Sequence, residues 1–62
     1  MTESLEMYLE TINVLQELNK VARVTDIASK LGVSKPSVHV ALHELERRGL
    51  VRHENYGEIY LT

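Results

Sequence analysis

Apolar residues return at three- and four-residue intervals through the first third of the chain, at Leu5, Tyr8, Leu9, Ile12, Leu15 and Leu18. That interval draws a single stripe along a helical surface and predicts a helix over 3–19, ending at Asn19 and Lys20. Val21-Ala22-Arg23-Val24 reads as a short extended piece. Thr25 then stands as an N-cap, with Asp26 in the first turn where a negative charge suits the helix dipole. Ile27 and Leu31 lie at i, i+4, and Ala28 is small enough to let another helix cross closely, so a second helix is expected over 26–31. Gly32 supplies the permissive backbone that ends it, Val33 fills the angle, and Ser34 caps a third helix over 35–48 with Pro36 in its first turn. Val38, Ala41, Leu42 and Leu45 form the inward side of that helix. Arg47 and Arg48 occupy its last turn, where cations suit the dipole, and Gly49 takes the exit.

After Gly49 the period changes. Residues 50–53 and 58–61 are short strand candidates around Glu54-Asn55-Tyr56-Gly57, and Asn and Gly favour the turn of a β-hairpin. Two helices joined by a three-residue turn are the sequence form of a helix-turn-helix. With a helix before and a hairpin after, the expected architecture is mainly α with a small β-hairpin, a winged helix-turn-helix of three helices plus wing. It fills residues 1–62 as one domain. Helix pairs also occur in plain bundles, but a bundle has no use for a hairpin directly behind its third helix.

Composition narrows the class. A chain of 62 residues buries only about 60% of its unfolded surface and leaves little room for a deep catalytic pocket. Without cysteine there are neither disulfides nor thiolate metal sites. No apolar run reaches membrane-spanning length and no signal-peptide pattern opens the chain, so a cytoplasmic protein is expected. No nucleophile–base pair, phosphate-cradling glycine loop or acidic dyad in a pocket is evident, and an enzyme is not expected. The formal net charge of −2 counts against nucleic acid until its distribution is considered. Glu3, Glu6, Glu10 and Glu17 face only Lys20 in the first helix, whereas the centre carries Arg23, Lys30, Lys35, Arg47, Arg48 and Arg52 against three carboxylates. The basic middle is flanked by acidic ends, so weak DNA affinity with a shallow salt dependence is expected from this domain alone.

The candidate chemistry lies on the third helix. Opposite its apolar side stand Lys35, Ser37, His39, Val40, His43 and Arg47. The N-terminal part of such a helix usually touches base edges in the major groove. Ser37 and His39 can donate or accept hydrogen bonds, Lys35 can reach a guanine or a phosphate, and Pro36 and Val40 suit a thymine methyl. Thr25 and Ser34 stand at helix starts, whose backbone N–H groups suit phosphate, although both also serve as caps. Arg52, His53 and Asn55 put donors on the wing side, where a solvated loop is an equal alternative. His39 and His43, at i, i+4, have a spacing that can chelate zinc. However, Val40 occupies the position a zinc peptidase needs for its Glu, and no third ligand is evident, so groove contact or a plain exposed face is the preferred reading. On the first helix Met7 and Glu10 point one thioether and one carboxylate at the same spot, a partial shell compatible with a borderline divalent transition metal. A Met on a helix is generally packing and a Glu generally solvated, and two groups cannot close a coordination sphere, so the pair alone is a weak signal.

EMYLETI (Glu6 to Ile12), SKPSV (Ser34 to Val38) and LERRGLV (Leu45 to Val51) together resemble the N-terminal domain of the diphtheria toxin repressor family, to which the manganese transport regulators belong. The resemblance spans essentially the whole chain. It implies a homodimeric repressor that binds a palindromic operator in double-stranded DNA when iron or manganese is available. It implies further that Met7 and Glu10 occupy metal-ligand positions, Met7 in the manner of iron-type members and Glu10 in that of manganese-type members. Ser34, Pro36, Ser37, His39 and Val40 match the part of the helix that meets DNA. A Gln commonly stands where Val40 is, and Glu44 replaces a basic phosphate-contacting position of the iron-type members.

Family members continue into a helical domain that supplies dimerisation and most metal ligands, so this chain is expected to be a fragment, in preference to a short stand-alone relative, and not to hold Fe²⁺ or Mn²⁺ stably by itself. Two further readings stay open. One is a winged-helix regulator that works without metal. The other is a winged-helix protein-interaction module, suited by the acidic net charge and by Val40.

Overall fold

A computed structural model of the chain describes residues 4–19, 21–54 and 57–62. The expected helix start at Glu3, its end at Lys20, and the Asn55–Tyr56 turn with the Asn55 donor lie outside the described residues. Three helices and three short strands follow in the order α1 (Leu5–Asn19), β1 (Ala22–Arg23), α2 (Val24–Leu31), α3 (Lys35–Arg47), β2 (Val51–His53) and β3 (Glu58–Leu61). The protein is mostly helical with an antiparallel β2–β3 hairpin, as a winged helix-turn-helix requires.

Before α1, the Ser4 hydroxyl accepts from the Met7 N–H at 3.3 Å, satisfying one of the free donors of the first turn. Tyr8, Ile12 and Leu15 are buried, with Leu5 and Leu9 packed beside them. Leu18 departs from the expected stripe and is 72% exposed. Two successive three-residue steps from Ile12 carry it about 120° around the helix, away from the core. Leu18 instead joins the exposed side chains of Met7 and Val14.

The start of α2 also differs from expectation. Arg23 is extended, at φ −126° and ψ 155°, and takes the N-cap position with no side-chain cap, so Val24 is already helical and Thr25 lies inside the first turn. Long-range pairing accounts for the shift: Ala22 and Arg23 form a strand whose partners are Ile59 and Glu58, and the helix begins as soon as that pairing ends. The extended piece is therefore shorter than Val21–Val24, but it belongs to the sheet. Strand order is β1-β3-β2, with β3 in the centre.

Gly32 has φ 69° and its N–H donates to the Ala28 carbonyl at 2.9 Å, turning the chain sharply enough for α3 to cross α2. α3 runs to Arg47, with Arg48 as its C-cap. Gly49, at φ 76°, lets the Leu50 N–H reach back to the Leu45 carbonyl at 3.0 Å. Leu50 itself stays outside the strand and is exposed. Val51, Arg52 and His53 then pair with Leu61, Tyr60 and Ile59.

Ile12, Ile27, Val38, Leu42, Leu45 and Ile59 are almost entirely removed from solvent. They come from all three helices and from the central strand, and each contributes about 1.5–3 kcal/mol by burial. The wing is thus continuous with the core. That continuity fixes where β2 and β3 stand relative to the outer side of α3.

Candidate nucleic-acid interface

The inner side of α3 is Val38, Ala41, Leu42 and Leu45, all buried. Turning by about 100° per residue, the helix must then carry Lys35, Pro36, Ser37, His39, Val40, His43 and Arg47 outward. All seven are exposed. Val40 is 73% exposed, an apolar side chain that gains nothing from water. At the helix start the Ser34 hydroxyl accepts from the Ser37 N–H at 3.3 Å, and the two hydroxyl oxygens lie 2.9 Å apart. Ser34 therefore caps α3, and the two hydroxyls are coupled. Thr25 is exposed near the start of α2, inside the helix.

The wing meets α3 through a pair of imidazoles. The His39 ring from α3 stacks on the His53 ring from β2, centroids 5.9 Å apart and planes inclined by 27°. This contact joins two elements the sequence expectation had left separate, and no local spacing announces it. Arg52 places its guanidinium 5.7 Å from the Tyr60 ring centre and pairs with Glu54.

Glutamates occupy the arginines of this surface. Glu44 accepts from Arg47 Nη2 at 2.8 Å, from Arg47 Nε at 3.3 Å and from Arg48 Nε at 2.8 Å. The hydrogen bond from Arg48, then that from Arg47, holds the Glu44 carboxyl below its ordinary value against a smaller opposing effect of desolvation. The i, i+3 and i, i+4 spacing from Glu44 to Arg47 and Arg48 is the local signal for this pairing, which placing Arg47 on the outward face leaves out. On the other edge of the sheet Arg23 donates to Glu58 at 3.0 Å, and Glu58 also accepts from the Tyr60 hydroxyl at 2.7 Å. Those contacts push the Tyr60 phenol up, the hydrogen bond to Glu58 foremost.

Met7 and Glu10 lie one turn apart on α1, both exposed. Among the described residues no group of three or more His, Asp or Glu side chains is arranged to hold a metal ion. Two exposed donors do not close a coordination sphere, so these residues do not fit a complete metal site by themselves. His39 and His43 likewise gain no third ligand among the described residues.

Residues 1–59 match the family described as iron dependent repressor, N-terminal DNA binding domain. The chain belongs to that family. Among its relatives are the proteins named HTH-type transcriptional regulator MntR of Geobacillus thermodenitrificans and Bacillus subtilis, each 38% identical over 61 residues. The protein of the same name from Shouchella clausii is 39% identical over 61 residues. Each alignment covers 98% of this chain but 43% of the relative, so the chain spans less than half the length of the curated relatives it matches. The iron-dependent-repressor domain is a DNA-binding domain of transcriptional repressors, a family not defined by catalysis. No helix among the described residues is long and apolar enough to cross a membrane.

Proposed function

We propose that this domain binds duplex DNA with α3 in the major groove and the β2–β3 wing alongside, as the reading head of a repressor that responds to Fe²⁺ or Mn²⁺. The observation that carries the reading is the solvent-exposed outer side of α3, from Lys35 to Arg47, backed along its length by buried core. Lys35 is the cation for a guanine edge or phosphate at the helix start. Ser37 and His39 supply donors and acceptors to base edges, and Pro36 and Val40 the apolar contact that suits a thymine methyl. Ser34 and Thr25 bring backbone N–H groups of two helix starts toward phosphates, while His43, Arg47 and Arg52 flank the track. In the whole protein two copies, their α3 helices about one DNA turn apart, would read a palindromic operator. Met7 and Glu10 would be two donors of a metal site completed from outside these residues.

The exposure of Val40 also suits a protein partner, and one experiment separates the two readings. Fluorescence anisotropy with a pool of randomised duplexes, followed by sequencing of the bound fraction, measures affinity and base preference together. Binding that weakens as salt rises from about 50 to 200 mM, with a preference altered by Val40→Ala or His39→Ala, is the expected result. No binding at the lower salt, by the domain or by a longer version carrying metal, overturns the proposal in favour of the protein-interaction module.

A further inference from the structure

Every arginine of the chain lies against a glutamate: Arg23 on Glu58, Arg52 on Glu54, and both Arg47 and Arg48 on Glu44. The last arrangement differs from the others, because one carboxylate holds two guanidinium groups in the final turn of the helix offered to DNA. Both arginines are otherwise open to solvent, with side chains 69% and 57% exposed, while that of Glu44 is 30% exposed beneath them. At the other end of α3, Lys35 has no carboxylate partner among the described residues. The helix therefore presents a free cation at its start and a restrained pair at its end.

We propose that Glu44 attenuates phosphate contact: it holds Arg47 and Arg48 on the helix's own surface, and duplex must displace it before either arginine serves a phosphate. The inference rests on the DNA-binding reading above and adds a residue that weakens it. The exchange is between like acceptors, since carboxylate and phosphate oxygens both take charge-assisted bonds from guanidinium. Once displaced, Glu44 also stands as an unpaired anion beside the phosphate backbone. Affinity is thereby anchored through the N-terminal half of α3, where base edges are read, and the sequence-independent share is reduced. The arginines keep Glu44 charged, so the restraint persists at neutral pH.

The test is Glu44→Gln, which preserves shape and removes the charge, with Glu44→Ala as a second variant and circular dichroism to establish folding. Glu17→Gln, an exposed position on α1, changes net charge equally and controls for it. Affinity for the randomised duplex pool is measured between about 50 and 200 mM salt, each neutralised phosphate adding about 0.9 to the logarithmic slope. If both arginines are released, the slope of Glu44→Gln steepens by about 1.8, which widens the affinity ratio across that salt range by about twelvefold. Glu17→Gln gives less than half of that change. Adding Arg47→Gln and Arg48→Gln removes the gain in the Glu44→Gln background and costs less in the native one. A Glu44→Gln protein that matches the native slope and affinity overturns the inference while the native binding keeps the DNA reading intact. Failure of both proteins to bind duplex sinks that reading and the inference with it.

Discussion

Ile59→Ala should destabilise the domain from its wing side. Ile59 is wholly buried in the central strand, opposite Ala22 on one neighbour and His53 on the other. The substitution removes three carbons, worth about 2.5 kcal/mol at roughly 0.8 kcal/mol per buried methylene. Adding the cavity left behind places the cost at about 3–4 kcal/mol, inside the range measured for Ile→Ala changes in cores. A domain of this size has a total stability of about 3–9 kcal/mol, so the variant loses a large fraction of its stability. The melting temperature should fall by at least about 12 °C, taking roughly 4 °C per kcal/mol as the low end for small domains. The assay is thermal and urea denaturation followed by circular dichroism, with Leu18→Ala, an apolar truncation at a 72% exposed position, as the comparison. Leu18→Ala should move stability by less than about 0.5 kcal/mol. An Ile59→Ala loss below about 1 kcal/mol would show that the wing is an appendage, and the packing of the sheet into the core described above would be wrong.

Other consequences follow from the caps and the charge network. Ser34→Ala removes the α3 cap and should cost about 1 kcal/mol, read as a lower urea midpoint with an unchanged slope, whereas Ser34→Gly should cost a few tenths. Tyr60 titrates high because its hydroxyl donates a hydrogen bond to Glu58. A group raised in the folded state stabilises below its unfolded value and loses that contribution as pH rises through the folded one, so this contact helps at neutral pH and fails in alkali above 10.0. Glu58→Gln should bring the Tyr60 midpoint, followed by its own NMR ring signals, down toward an ordinary phenol; an unmoved midpoint would reject the contact.

Local chemistry made most of the fold legible. Gly32, Ser34, Pro36 and Gly49 each act over a few residues, so the bounds of α3 and the sharp α2–α3 turn could be read without knowing anything distant. The outer side of α3 was legible for the same reason, because burying Val38, Ala41, Leu42 and Leu45 leaves a helix no choice about what it exposes. Contacts between remote residues were not. Thr25 is a good cap by composition, yet the pairing of Arg23 with Glu58 moved the helix start two residues earlier. The stack of His39 on His53 depends on the angle between α3 and β2, which no spacing encodes. The Glu44–Arg47–Arg48 cluster is intermediate: its spacing was visible, but assigning Arg47 to the face offered to DNA gave the groove priority over the helix's own neighbour.

The placement of β3 has a consequence for how the domain comes off the ribosome. Its two neighbours are made earlier, and β1 must wait through about 35 intervening residues before a partner exists. Closing that loop costs about 3 kcal/mol of chain entropy, which nothing offsets until Ile59 arrives to join the helices already synthesised. The nascent helices are therefore expected to stay loosely collapsed, and cooperative closure to wait until β3 has been synthesised.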